Sequence, residues 1–99
     1  RYCAEGAAMD FDYDDDKRRK NIEKHGIDLL YGALIFNGPT VESADTRHDY
    51  GEDRITAIGL VGDLCVVTVY VQRGDVIRLI STRKGGRRDR RKYEKAVFD

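Results

Sequence analysis

The C-terminal half of the sequence contains three β-type runs that are separated by two identical turns. Residues 54–61, 64–73 and 76–83 are rich in Val, Ile and Thr, and Gly-Asp stands between consecutive runs, at 62–63 and 74–75. Glycine tolerates the positive φ that a two-residue hairpin turn demands. Such turns also fix which residues face each other on neighbouring strands. The sequence therefore predicts an antiparallel β meander with a defined register.

This register places several arginines on one face of the sheet. Counting back from the first turn, Arg54 faces Val71, and counting from the second turn, Val71 faces Arg78. These three residues form a row across three strands, and Arg73 lies on the same face beside them. Simple alternation assigns Arg83 to the opposite face. The row predicts a patch of converging guanidinium groups.

Neighbouring arginines repel each other unless carboxylates or an anion lie between them. Glu52 and Asp53, just before the first strand of the meander, could supply carboxylates, and a phosphate could supply the anion. Guanidinium groups bind phosphate in a bidentate manner, so the patch suits an RNA or DNA backbone. Tyr70 or Tyr93 could stack on a base. The alternative for any single strand arginine is ordinary surface decoration.

The segments outside the meander predict helices and short strands. Acidic residues at 14–16, bases and a histidine further on, and Gly26 just beyond have the polarity that a helix macrodipole favours. Asp28 is placed to cap a second helix. Further elements are expected at 10–13 (an edge strand), 29–36 (the second helix), 40–44 (a strand) and 87–97 (a last helix). The expected fold is α+β, with two N-terminal helices, an antiparallel sheet of about four strands and a C-terminal helix.

Length and composition indicate one soluble domain. The 99 residues allow a single core, and no apolar run approaches the ~18 residues of a membrane helix. Residues 1–8 precede Met9 and are expected to be an extension, native or added, to a domain at 9–99. Cys65 lies in an apolar run and is expected to be a buried thiol. No CxxC is present and the two histidines are far apart, so we expect no metal or cofactor and a cytoplasmic protein.

Charge is strongly segregated along the chain. The 18 basic and 18 acidic residues balance overall, yet residues 73–99 hold ten basic and four acidic residues. Half of all the positive charge lies in residues 78–95. A basic end on a neutral protein suggests a polyanion or an acidic partner, and a dipolar surface without a function is the alternative.

Several motifs resemble those of the BrnT toxins. The segment 15–26, Asp-Asp-Lys-Arg-Arg-Lys-Asn-Ile-Glu-Lys-His-Gly, resembles the opening helix of that family. Its remaining motifs follow in order as Glu52-x-Arg54, Gly59, Arg73, Arg78-x-Ile80-Ser81-x-Arg83-Lys84 and Tyr93. The sequence departs from the pattern at Tyr13, where the family often has Trp, and at residues 37–39, where Asn-Gly-Pro replaces Asp-Pro.

The resemblance implies a ribonuclease toxin of a type II toxin–antitoxin system, with a RelE-like fold and an activity that stops translation. It also implies a BrnA antitoxin, a ribbon-helix-helix protein that neutralises the toxin and binds operator DNA. The toxin would then form a hetero-oligomer and contact that DNA only through its partner.

RNA can be cut when its own 2′-hydroxyl attacks the adjacent phosphate, which requires proton transfer and stabilisation of the phosphorane. We expect Arg54 and Arg78 to hold the scissile phosphate. Arg73 or Arg83 would lie nearby. His25 is the candidate for proton transfer, because histidine is the residue type suited to that role at neutral pH, although a histidine at a helix C-terminus can also serve only the helix dipole.

The remaining candidates fall into two groups. Lys24 and Glu52 are further candidates for the proton steps, Lys24 also for RNA binding, and Lys84 is a candidate for contact with the RNA backbone. The last helix could dock RNA or the antitoxin, unless it is simply a solvated basic surface; its candidate docking residues are Arg87, Arg88, Arg91 and Tyr93. A binding module without catalysis, or a subunit that matters only inside the antitoxin complex, are the competing interpretations.

Overall fold

The computed structural model describes residues 10–45 and 52–98, which form a five-stranded sheet with helices on its faces and edge. The strands are β1 (Asp10–Asp12), β2 (Val41–Asp45), β3 (Arg54–Val61), β4 (Leu64–Arg73) and β5 (Val76–Lys84). The helices are α1 (Asp15–His25), α2 (Tyr31–Leu34) and α3 (Arg87–Phe98), and a 3₁₀ turn (Ile35–Asn37) follows α2. The strand order is β1-β5-β4-β3-β2.

The predicted α+β class is confirmed, but the predicted four-stranded antiparallel sheet is wrong. The sheet is mixed, because β1 pairs in parallel with β5, with Asp10 opposite Val76 and Asp12 opposite Arg78. A parallel pair needs a long connection, here most of the chain. No local pattern at 10–13 identifies the partner strand.

The second helix is shorter than predicted. Asp28 Oδ1 accepts the backbone N–H of Leu30 at 3.0 Å and thereby closes a turn. The α-helix begins only at Tyr31, ends at Leu34 and continues as the 3₁₀ turn. The predicted helix at 29–36 is therefore one α-helical turn followed by one tighter turn.

Helix α1 is held at both ends by local interactions rather than by a broad apolar stripe. Asp14 caps it by accepting the N–H groups of Asp16 at 2.8 Å and Lys17 at 3.2 Å. Gly26 ends it with φ of 69°, a left-handed conformation that suits glycine. The one buried residue of α1 is Asn21, so a polar side chain fixes this helix to the rest of the fold.

The predicted meander register is confirmed. Val61 pairs with Leu64 across the first turn, and Val71 pairs with Arg78 across the second. Gly62 and Gly74, which open the two turns, have φ of 61° and 60°. The row of arginines expected from the turns is thus present in the sheet.

A β-bulge in β5 changes the register beyond Leu79. Tyr70 pairs with Leu79, whereas Val69 pairs with Ser81, so Ile80 is an extra residue. The shift turns Ser81 and Arg83 onto the face of the arginine row. The prediction that Arg83 points to the opposite face is therefore wrong, because simple alternation does not survive a bulge.

The two faces of the sheet are covered differently. One face packs against α2 and the 3₁₀ turn, through a core that includes Leu29, Ile35, Phe36, Tyr70 and Leu79. The other face packs against α3 over only part of its area. That smaller core comprises Ile58, Cys65, Val67 and Tyr93, with Val41, Leu60 and Val97 packed against it. The half of this face beyond α3 carries the arginine row.

The expected extension at 1–8 lies outside the described residues, and so do residues 46–51, which connect the strand expected at 40–44 to the meander. No helix in the described ranges is long and apolar enough to cross a membrane. Cys65 is free and 2% exposed, which confirms the expected buried thiol.

Candidate functional site

A groove of about 430 Å³ lies on the half of the sheet face that α3 leaves open. The last turn of α1 forms one wall, with Lys24 and His25, and Val67 and Val69 form part of the floor. Further polar side chains line it from three strands, namely Ser43, Asp45, Thr56, Ser81 and Arg83. The groove therefore brings together three predicted site residues, Lys24, His25 and Arg83.

Asn21 fixes the wall of this groove to the sheet. Its Nδ2 donates to the carbonyl oxygens of Thr82 at 2.7 Å and Ile27 at 2.9 Å, and its Oδ1 accepts the Thr82 N–H at 2.9 Å. The side chain thus replaces a neighbouring strand at the edge of β5. Because Asn21 lies one turn before His25, these bonds set the position of His25 against β5.

A pair of buried threonines lies beneath the bulge. Thr68 and Thr82 are both 0% exposed, and their hydroxyl groups are 3.0 Å apart. Thr68 donates to the carbonyl oxygen of Ser81 at 2.7 Å, and Thr82 donates to that of Leu29 at 2.9 Å. The bond to Ser81 satisfies a carbonyl next to the bulge and so stabilises the register that turns Ser81 and Arg83 into the groove, and the bond to Leu29 fixes β5 to the segment before α2.

Arg83 is held at the groove by Asp89 of α3. Its Nη1 lies 2.9 Å from Asp89 Oδ2, which also accepts the N–H of Gly86 at 2.9 Å. The hydrogen bond from Arg83 lowers the pKa of the Asp89 carboxyl below its usual value. Asp89 therefore stays ionised, caps the start of α3 and orients Arg83.

A second cluster lies at the end of the same face. Arg78 Nη1 is 2.5 Å from Asp12 Oδ2, and Arg73 Nη2 is 3.2 Å from Glu52 Oε2. The bond from Arg78 lowers the pKa of the Asp12 carboxyl. The expected pairing of the arginines with carboxylates is thus confirmed for Glu52, whereas Asp12, delivered by β1, was not predicted.

The predicted catalytic residues divide between the groove and this end cluster. Arg83 pairs with Val67 and Arg78 pairs with Val71, four positions apart along β4. At about 3.3 Å per residue the two backbone positions are roughly 13 Å apart. Arg54 is half-buried and pairs with Asp45, which lines the groove. Arg54 therefore lies in the row of Arg78, beside the part of the groove that Asp45 lines.

Three residues expected to contact RNA are placed elsewhere: one lies on the opposite face of the sheet, and two are buried. Lys84 pairs with Val66 on the opposite side of the sheet and lines a separate apolar cavity with Ile22 and Tyr31. Tyr70 and Tyr93 are 0% and 3% exposed. The prediction that either tyrosine stacks on a base is wrong, because both rings belong to the core.

Tyr93 anchors α3, most of whose basic side chains face solvent. The Tyr93 hydroxyl donates to the carbonyl oxygen of Pro39 at 3.0 Å, and burial raises the pKa of this phenol. The docking residues predicted with it, Arg87, Arg88 and Arg91, are exposed. Tyr93 therefore positions the basic helix from below.

Several residues that line the groove or hold its side chains were absent from the predicted site residues. Asp89 could have been identified, because a carboxylate in the first helical turn is a common capping partner. Thr56 and Asp45 carry no local signal, since the β2–β3 pairing places them, whereas Ser81 belongs to one of the family motifs but is turned into the groove only by the bulge. Among residues 10–45 and 52–98, no group of three or more His, Cys, Asp or Glu side chains is arranged to hold a metal ion.

A family model described as the ribonuclease toxin BrnT of a type II toxin–antitoxin system matches residues 13–89. This match covers α1 to the first turn of α3, and it includes the groove and most of the end cluster. Asp12 lies just before the matched range. A comparison with curated proteins finds no match.

Proposed function

The chain belongs to the BrnT family of ribonuclease toxins of type II toxin–antitoxin systems, and on that premise we propose that it cuts RNA in the groove between α1 and β5. The observation that carries the proposal is that Arg83 lines the same cavity as Lys24 and His25, although it is far from these two neighbours in the sequence. A proton-transfer group and two cations are what cleavage by the 2′-hydroxyl needs.

The proposed reaction uses the RNA itself as the nucleophile. A base removes the proton of the 2′-hydroxyl, and the 2′-oxygen then forms a bond to the adjacent phosphorus. The bond from phosphorus to the 5′-oxygen breaks, and an acid protonates this leaving oxygen. The products are a 2′,3′-cyclic phosphate and a 5′-hydroxyl end, and the protein contributes proton transfer and charge stabilisation without a metal ion.

His25 is the proposed proton-transfer residue, because an imidazole can accept or donate a proton near neutral pH. Its position is set by Asn21, whose two hydrogen bonds to Thr82 hold the end of α1 against β5. Glu52 is the alternative in the end cluster, where it contacts Arg73. The groove favours His25, because it faces the same cavity as Arg83 and Lys24.

The cations would hold consecutive phosphates along the face. Arg83 and Lys24 would hold the scissile phosphate, and Arg54, Arg78 and Arg73 would bind the strand beyond. The Arg83 side chain is 46% exposed in its ion pair with Asp89. Half-exposed ion pairs contribute only about 0–1 kcal/mol, so a phosphate can compete for Arg83 at small cost.

In the cell, such cleavage would stop translation, and we propose an antitoxin of the BrnA type as the inhibitor. That partner would carry the operator-binding function, and the toxin would act in the cytoplasm. The ribonuclease family supports an RNA substrate and an antitoxin partner. The identity of the partner as a ribbon-helix-helix protein is part of the proposal.

The direct test is cleavage of a single-stranded RNA by the purified, antitoxin-free protein in excess EDTA, with analysis of the product ends. We expect 5′-hydroxyl and cyclic phosphate ends. His25→Ala should lower the single-turnover rate by about 10²-fold or more, the usual contribution of a general acid or base, while RNA binding persists. Arg54→Ala and Arg78→Ala should weaken both binding and cleavage.

Lys20→Ala is the matched control, because Lys20 is an exposed base of α1 that does not line the groove. It should cleave RNA at the wild-type rate. If the wild-type protein binds RNA but does not cut it, the protein is a binding module under these conditions and the catalytic proposal fails. Cleavage by His25→Ala at the wild-type rate would remove His25 from the mechanism.

A further inference from the structure

Helix α3 lies across the same sheet face as the groove. It begins shortly after β5 ends. Its Tyr93 packs with Ile58, Cys65 and Val67, and Val41 of β2 packs against the same cluster. Tyr93 is therefore the centre of the buried side of α3. The flanks of the helix on either side of this line face different parts of the molecule.

Two side-chain contacts identify these flanks. Arg90 donates to the carbonyl oxygen of Asp63, in the turn between β3 and β4. Asp89 binds Arg83, which lines the groove. The flank that carries Arg90 thus faces the turn, and the flank that carries Asp89 faces the groove.

Helical periodicity divides the exposed bases of α3 between the flanks. At about 100° per residue, Arg88 and Lys92 lie on the side of Asp89, and we call them the groove-side pair. Arg87 and Arg91 lie on the side of Arg90 and form the turn-side pair. All four side chains are exposed. The attraction of Lys92 contributes to the lowered pKa of Asp89, which agrees with its place on the groove side.

We infer that the groove-side pair, Arg88 and Lys92, is an RNA-binding subsite that receives the phosphates of the strand where it leaves the groove beside Arg83. This inference rests on the proposed function, because it takes RNA as the occupant of the groove. Arg83 and the groove-side pair form one continuous basic surface around Asp89, which suits a polyanionic strand. The turn-side pair lies on the other flank of α3, away from this basic surface.

The test compares two double variants that remove the same charge from the same helix. Arg88→Gln with Lys92→Gln changes the groove-side pair, and Arg87→Gln with Arg91→Gln changes the turn-side pair. Both pairs are spaced i, i+4, and glutamine keeps a high helix propensity. Circular dichroism and urea unfolding of both variants would verify that the fold is unchanged.

Binding is measured by fluorescence anisotropy with a labelled, fully 2′-O-methylated single-stranded RNA that cannot be cut by its own 2′-hydroxyl. The slope of log K against log salt changes by about 0.7 for each phosphate contact on a single strand. We expect the groove-side variant to lose about 1.4 from this slope and to bind roughly tenfold or more weakly at 0.1 M salt. The turn-side variant should keep the wild-type slope.

Cleavage of unmodified RNA distinguishes binding from chemistry. The groove-side variant should need more protein for half-maximal cleavage but reach the wild-type single-turnover rate at saturation. Equal losses in both variants, or no loss in either, with a wild-type protein that binds and cuts RNA, would overturn the inference and leave the proposed function standing. The groove-side variant could instead bind RNA like the wild type but fail to bind a co-expressed antitoxin. That result would assign the pair to the antitoxin interface and would also overturn the inference.

Failure of the proposed catalysis can be distinguished from failure of the subsite. If the wild-type protein binds the methylated RNA and the groove-side variant alone loses slope, the subsite is supported even when no cleavage occurs. Absence of RNA binding by the wild-type protein would overturn both the subsite and the proposed groove.

Discussion

Replacement of Asn21 by alanine should destabilise this protein far more than its location in a polar helix suggests. The side chain is 5% exposed and makes three hydrogen bonds, two of them to the backbone of Thr82. Each such bond contributes about 1 kcal/mol, and buried partners left unpaired cost about 1–3 kcal/mol. We expect a loss of roughly 2–4 kcal/mol, a large part of the ~5–15 kcal/mol that such domains possess.

A second variant at the same position tests whether the side chain faces two carbonyl oxygens. Asn21→Asp keeps the acceptor for the Thr82 N–H but directs a carboxylate at two carbonyl oxygens. The folded state should therefore favour the protonated acid and raise the pKa of the new carboxyl. Relative to the wild type, the stability of this variant should be highest at pH below about 4, the ordinary aspartate pKa, and should fall as pH rises through the higher folded value.

The assay is urea unfolding followed by circular dichroism at several pH values, because the chain has no tryptophan. Glu23→Ala, an exposed change in the same helix, should stay within about 0.5 kcal/mol of the wild type. If Asn21→Ala does the same, the anchoring of α1 through Thr82 is refuted. If Asn21→Asp follows the wild-type pH dependence, its carboxylate does not face the carbonyl oxygens.

Three further predictions concern packing and charge. A Cβ at Gly32 would lie 2.6 Å from Thr82 Oγ1, so Gly32→Ala should cost about 1–3 kcal/mol in urea unfolding, whereas Gly38→Ala, with nothing within 4 Å, should have little effect. Because the pKa of Asp89 is lowered, its ion pair contributes its full stability above pH ~4, the unfolded pKa. This contribution falls as pH drops through the lower folded pKa. Acid unfolding of Asp89→Asn should therefore lack that component. Asp12→Asn removes a negative charge from the arginine face, so it should bind single-stranded RNA severalfold more tightly at low salt in an anisotropy titration; equal or weaker binding would mean that Asp12 orients its arginine for RNA.

The parts of the fold that depend on neighbouring residues were predictable. Gly62 and Gly74 adopt the positive φ that two-residue turns need, and the pairing of Val71 with Arg78 followed from counting. The arginine row depends only on these turns. Helix α3 was predictable for the same reason, because its buried Tyr93 and half-buried Val97 are one turn apart.

The parts that depend on distant residues were not predictable. The parallel pairing of β1 with β5 brings Asp12 to Arg78 from 66 positions away, and three residues carry no signal for such a partner. The bulge at Ile80 arises in the pairing of two strands, and it moves Arg83 to the other face. The alternation of a strand sequence predicts which face each side chain occupies, but it does not show where a bulge inserts an extra residue.

The amino-acid sequence by itself determined the α+β class, the meander and the family motifs, because turns, periodicity and short motifs are local properties. Only the tertiary structure decided which of the basic residues act together. The hydrogen bonds of Asn21 to Thr82 bring His25 to the groove, and the bulge brings Arg83 to it. A buried side chain that pairs with a distant backbone satisfies donors and acceptors that exist only after folding, and that is why sequence reasoning could not locate the groove.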